Sequence, residues 1–152
     1  MPVTKNTSNL FNDDQLGEAT VDPLIRAGRP LMATGKVANA ADDLATSKYK
    51  LVTLPSACLL HEDTKFDVDG WGLAQVSVGT FDDADALFSV ATSANAVVQP
   101  IAFGDANYDL RLWEILGMAE DPGGFITLYA HAVADATAAG ELKFQVVSIQ
   151  NN

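Results

Sequence analysis

A chain of 152 residues and 16.1 kDa, with 48% hydrophobic and 19% charged side chains, is the size and composition of one folded domain and excludes a disordered chain. A net charge of −11 and a pI of about 4.2 repel phosphate backbones and argue against direct nucleic-acid binding. A single cysteine, Cys58, leaves no intrachain disulfide and no zinc cluster.

The charge is unevenly placed. Residues 1–50 hold six basic side chains (Lys5, Arg26, Arg29, Lys36, Lys48, Lys50) and six acidic ones, whereas residues 51–152 hold three basic (Lys65, Arg111, Lys143) against fourteen acidic. The start of the chain, Met1-Pro2-Val3-Thr4-Lys5-Asn6, has no apolar core of a signal peptide, and no stretch approaches the ~20 apolar residues of a membrane span. The sequence therefore predicts a soluble chain made in the cytoplasm, with no membrane partner.

Residues 1–19 are polar and carry few large apolar side chains after Val3: Leu10, Phe11 and Leu16. Residues 20–47 contain Pro23, Gly28, Pro30 and Gly35, which break a long helix or a central strand. Residues 1–45 read as an extended N-terminal arm that orders on a partner surface and is separable from a body at 46–152. The alternative is a strand or two folded against that body.

From Lys48 onward the pattern is that of strands. Tyr49–Leu54 reads as a strand ended by Pro55, and Cys58–Phe66 as a second run closed by the turn Asp67-Val68-Asp69-Gly70. In Leu73–Gly79, Ala74, Val76 and Val78 alternate with Gln75 and Ser77, the period of a half-buried strand. Asp82 or Asp83 is placed to cap a short helix with Ala84, Leu87 and Phe88 on its apolar side. Val97–Phe103, interrupted by Pro100, reads as an edge strand, and Asp121-Pro122-Gly123-Gly124 as a turn. Phe125–Val133 and Leu142–Ile149 are the clearest strands, and the short link between them predicts an antiparallel hairpin. Together these elements predict a mainly β fold: an antiparallel, jelly-roll-like β-sandwich with one short helical turn and an extended N-terminal arm, a small barrel being the nearest alternative.

Candidate chemistry is sparse. Cys58 lies in Ala57-Cys58-Leu59-Leu60 and reads as a small buried hydrophobe; as a nucleophile it would need His61 or His131 as its base. Asp82, Asp83 and Asp85 offer oxygen ligands for a hard cation, and Asp67 and Asp69 precede a glycine as in calcium loops. The Asp82–Asp85 segment has none of the regularly alternating ligands, central glycine and closing glutamate of an EF-hand, and helix capping and solvation account for it; turn chemistry explains Asp67 and Asp69 as well. No nucleophile elbow, phosphate loop or dinucleotide fingerprint occurs. The expectation is no catalytic, cofactor-binding or metal-binding residue. Trp71 and Trp113, with Tyr49, Tyr108, Tyr129 and Phe125, suit either core and subunit contacts or a sugar platform. Trp71, between two glycines, is expected to be exposed.

Four segments in order carry a family likeness. They are Tyr49-Lys50-Leu51-Val52-Thr53-Leu54-Pro55-Ser56-Ala57; Ala74-Gln75-Val76-Ser77-Val78-Gly79 with the Asp-rich run to Phe88; Leu112-Trp113-Glu114-Ile115-Leu116-Gly117-Met118 with Asp121-Pro122; and Ala139-Gly140-Glu141-Leu142-Lys143-Phe144-Gln145-Val146. Over residues 48–149 the chain resembles small virion structural proteins of tailed bacteriophages, of the capsid decoration or cement type. The resemblance implies a non-enzymatic role on the capsid surface of a virion, with the major capsid protein and further copies of the chain, in a trimer or similar cluster, as partners. A receptor- or carbohydrate-binding domain of a phage tail or fibre is the alternative, and a small hydrolase a second one.

Overall fold

The computed structural model describes residues 28–94 and 96–150. Nine strands run through them: β1 (Arg29–Asn39), β2 (Lys48–Pro55), β3 (Leu59–Leu60), β4 (Lys65–Asp67), β5 (Gln75–Gly79), β6 (Phe88–Ala91), β7 (Val97–Val98), β8 (Phe125–His131) and β9 (Gly140–Gln150). Helical structure among the described residues is one turn of 3-10 helix at Thr92–Ala94 and one short helix, α1 (Leu112–Ile115).

The strands form two antiparallel sheets packed face to face. The first is five-stranded, in the order β1-β9-β4-β7 with β3 also on β9; the second is four-stranded, in the order β2-β8-β5-β6. The chain passes repeatedly between them, which makes the expected jelly-roll-like sandwich. The core follows from period-two alternation. From β9 come Leu142, Phe144 and Val146, from β8 Ile126, Leu128 and Ala130, and from β5 Val76 and Val78. Phe66 sits fully buried at the centre, against the rings of Phe88 and Phe144.

Where β3 stops and β4 starts, the ladder along β9 would be left open. Thr64 closes it: the Val147 N–H donates to its hydroxyl oxygen at 3.0 Å, and the hydroxyl donates to the Val147 carbonyl at 3.2 Å. A threonine is thereby fully buried at no hydrogen-bonding loss.

Four expectations change. The body begins at Arg29, not at 46: β1 pairs with β9 along its whole length, from Arg29 opposite Gln150 to Asn39 opposite Gly140. Its inward side chains Ala33 and Val37 are half-buried, and Gly35 admits the Phe144 ring, which a Cβ would meet at 2.7 Å. A cut at residue 45 would strip β9 of its longest partner. Residues 1–27 of the expected arm lie outside the described residues.

Second, Phe125–His131 and Gly140–Gln150 form no hairpin, because they lie in different sheets. The link between them crosses the edge of the sandwich and is tied down on the way. The Thr137 and Ala138 N–H groups donate to the Gly72 carbonyl at 2.9 and 3.2 Å, and the buried Asn39 amide donates to the Ala138 carbonyl at 2.8 Å.

Third, the segment after Gly79 makes no helix. The Thr80 N–H donates to the Asp83 carbonyl and the Leu87 N–H to the Val78 carbonyl, which closes a β5–β6 loop, and Phe88 enters β6. Gly79 permits the fold-back, since a Cβ there would stand 2.0 Å from the Asp83 carbonyl oxygen. The helical turn is α1 instead, where the Glu114 carboxylate reaches back and accepts from the Arg111 N–H at 2.8 Å. Fourth, Ser77 is buried although it faces outward, because this loop lies over that end of the sheet.

Three surface carboxylates hold turns and are pulled below the usual carboxylate range by the hydrogen bonds they accept. Asp43 accepts from the Tyr49 hydroxyl and then the Ala40 N–H, Asp105 first from the Ala102 N–H, and Asp121 first from Ser56 and then the Gly123 N–H. A depressed folded-state value stabilises the protein above the unfolded value and is lost as pH falls through it. Stability is therefore expected to hold near neutrality and to fall below about pH 4. Urea midpoints across that range check this, and Asp105→Asn is expected to flatten the dependence. Replacing Asn39→Ala leaves the Gly72 N–H and the Ala138 carbonyl without their partner. The expected loss is about 3 kcal/mol, read from the shift of the same midpoint at neutral pH.

Candidate functional site

Cys58 is 2% exposed, and burial pushes its thiol up to about 12, with Arg111 pulling weakly the other way. It is the expected small hydrophobe of the core. His61 follows β3 of the first sheet and His131 ends β8 of the second, and each ring is held by contacts of its own. The His61 N–H donates to Val147 in the first sheet, and its ring takes the Asp63 N–H at Nδ1. His131 is buried on β8, with Nε2 2.6 Å from the Thr80 carbonyl oxygen. A carbonyl only accepts, so the proton stands on Nε2, and the imidazole serves as a clip for the β5–β6 loop.

Asp82, Asp83 and Asp85 are exposed on that loop. Asp67 and Asp69 share a hydrogen bond that raises the Asp67 carboxyl above its usual range; burial and the charge of Asp69 add to this, and Lys143 opposes it. Among the described residues no group of three or more His, Cys, Asp or Glu side chains is placed to hold a metal ion, and no helix is long and apolar enough to cross a membrane.

Trp71 overturns its expectation. It is 5% exposed and meets Tyr49 edge-on at 5.0 Å, with its indole N–H unpartnered. The flanking glycines let the chain pass close to Asn39 and the 138–140 segment, rather than expose the ring: a Cβ on Gly72 would stand 1.9 Å from the Ala138 carbonyl oxygen. Of the candidate aromatic platform, Trp71 belongs to the core, and Tyr49 and Trp113 pack against it. Phe125, Tyr129 and Tyr108 remain at the surface, Tyr108 edge-on against the exposed Phe103.

Three surface features stand out. The first centres on Phe125, 72% exposed where β8 begins, beside a depression of about 310 Å³ lined by Met118, Pro122, Thr127 and Tyr129. It is framed by a turn: Gly123 and Gly124 both take positive φ, and the Gly123 N–H donates to Asp121 at 2.8 Å. The second is Phe81, a ridge between this depression and one of about 360 Å³ that reaches His131 and Val133. The Phe81 ring is braced by Tyr129 at 5.6 Å and by the Lys48 ammonium 3.5 Å from its centroid, and that ammonium also donates to the Phe81 carbonyl.

The third feature lies on the outer face of the other sheet. The register aligns Lys36, Lys143, Asp67 and Val97 in one row across β1, β9, β4 and β7, and Thr34, Gln145 and Lys65 in the next. These side chains line a groove of about 500 Å³. The sequence pattern alone does not reveal it, because its lysines lie far apart along the chain and meet only through strand pairing.

The buried thiol generates a direct check. Cys58 is expected to resist thiol reagents in the native protein and to react stoichiometrically once the chain is unfolded, measured by absorbance titration with a disulfide reagent. Native-state labelling at the rate of a free thiol would contradict the buried placement.

No protein-family model matches the chain, and no curated protein and no solved structure matches it.

Proposed function

We propose that this chain is a structural component of a bacteriophage particle, a decoration or cement protein that binds the head shell and stabilises it. The support is the resemblance carried by residues 48–149 together with the form of the molecule. A stiff two-sheet body presents side chains outward from paired strands and braced turns. A subunit that is repeated over a shell needs such a body, because many weak contacts add up only when each is held in place.

The observation that carries the reading is the Phe125 surface. A phenylalanine 72% exposed, next to Met118, Pro122 and Tyr129, has the composition that forms the desolvated centre of protein–protein contacts. The partner is the major capsid protein, and the acidic exterior of the chain faces away from packaged nucleic acid.

The test adds the purified protein to heads that lack it and images them by cryo-electron microscopy, with binding followed by co-sedimentation. Density on the shell is expected for the native chain, and Phe125→Ser is expected to weaken binding by about 10-fold or more while leaving the thermal midpoint near native. Absence of density on heads, or Phe125→Ser binding as the native chain does, would overturn the reading. Density on the tail instead, with saccharide binding by calorimetry, would establish the receptor-binding alternative.

A further inference from the structure

We propose that the groove on the outer face of the β1-β9-β4-β7 sheet is the docking site for the β5–β6 loop of a second copy of this chain. The two surfaces lie on opposite sheets, so one copy cannot satisfy its own groove.

Charge complementarity points to this occupant. Seven basic side chains lie in the described residues, and three of them, Lys36, Lys65 and Lys143, meet at this one groove. Glu141 takes up Lys36 at 3.3 Å and Asp67, hydrogen-bonded to Asp69, faces Lys143 in the register, which leaves Lys65, opposite Gln145, as the lysine of the groove with no carboxylate opposite it. The β5–β6 loop carries the opposite set. Asp82, Asp83 and Asp85 are all exposed, beside the exposed ring of Phe81.

The apolar parts match as well. Val97, at 59% exposure, and the aliphatic stems of the lysines offer a greasy floor beneath the ammonium groups. A groove of about 500 Å³ has room for an aromatic ring, and Phe81 is already held outward by Lys48 and Tyr129. Little conformational entropy is left to lose on docking.

The contact is heterologous: one patch meets a different patch. Such contacts leave a free groove and a free loop on every pair, so association runs on to a closed ring or a longer array. This inference goes beyond shell binding and is read on the free chain in solution, without Phe125→Ser, although Phe81 and Asp82 also rim the depression beside Phe125. Its failure is therefore separable from the failure of the shell reading.

The test uses the full chain. Light scattering across a concentration series should show species larger than a dimer, weakening as salt is raised. The double changes Lys65→Glu with Lys143→Glu, and Asp82→Lys with Asp83→Lys, should each weaken association by about 10-fold or more. Mixing the two variants should restore it, because each then offers the charge the other needs. Where a variant fails to fold, single cysteines replace the charge test: chains carrying Lys65→Cys and chains carrying Asp83→Cys are mixed with a short bis-maleimide. The native Cys58 is buried and does not compete. A cross-linked pair between the two chains is the expected product. A native chain that stays monomeric at every concentration, charge variants that associate as the native does, or Lys65→Cys cross-linking to residues 1–27 or to another partner in place of the loop would each overturn the proposal.

Discussion

The sandwich depends on how its two sheets are held together at one edge, and that junction rests on the side-chain amide of Asn39. It stands at the end of β1, 4% exposed. Its Nδ2 donates to the carbonyls of Ala40 and Ala138, and its Oδ1 accepts from the Gly72 N–H. One amide thus ties the edge strand of the first sheet to the turn leading into β5 and to the link that carries β8 over to β9. A side chain with a donor and an acceptor on one planar group suits such a place, since each unpaired backbone group there would cost on the order of 1–3 kcal/mol. The glycines around it follow from the same constraint. Gly72 and Gly140 stand where backbone presses on backbone, and a Cβ on Gly140 would meet the Gly70 carbonyl oxygen at 2.4 Å.

Next to this junction the Trp71 ring is capped by Tyr49, whose hydroxyl donates to Asp43 at 2.6 Å. Burial, and then the hydrogen bond to the Asp43 carboxylate, push the Tyr49 hydroxyl up to about 12, so it stays a donor across the physiological range. The core therefore ends in a polar contact at the surface, and the 40–47 turn is drawn onto the body. Polar groups do comparable work elsewhere: Thr64 completes the β9 ladder, and His131 clips the β5–β6 loop.

The functional argument follows from that rigidity. Strands paired along their length hold outward-facing side chains in fixed rows, and the rows give the molecule different chemistry on its two faces. One sheet shows lysines around an apolar floor; the other ends in an acidic loop with a phenylalanine at its tip and, farther along β8, in the Phe125 surface. A body with distinct contact surfaces on different sides can serve several neighbours at once. This is the physical content of the proposed shell role, and of the proposed contact between copies.

Much of the fold was legible in the residues because alternation has a short range. Tyr49–Leu54, Phe125–Val133 and Leu142–Ile149 declare themselves as strands by which neighbours are apolar, and Asp121–Gly124 declares a turn by its backbone preferences. The burial of Cys58 was equally legible from its apolar neighbours. What lay beyond the sequence was every choice that depends on a distant partner. The eleven residues of β1 look like an arm until β9 is there to pair them. The link after β8 looks like a hairpin until Gly72 and Asn39 take its hydrogen bonds in the other sheet. Trp71 looks exposed between its glycines until those glycines prove to be the room for a neighbouring backbone. The lysine groove has no local pattern at all, since Lys36, Lys65 and Lys143 become neighbours only through strand register. Local propensity carries information over a few residues, whereas sheet pairing joins positions as far apart as Arg29 and Gln150, and only the tertiary structure decides which of them meet.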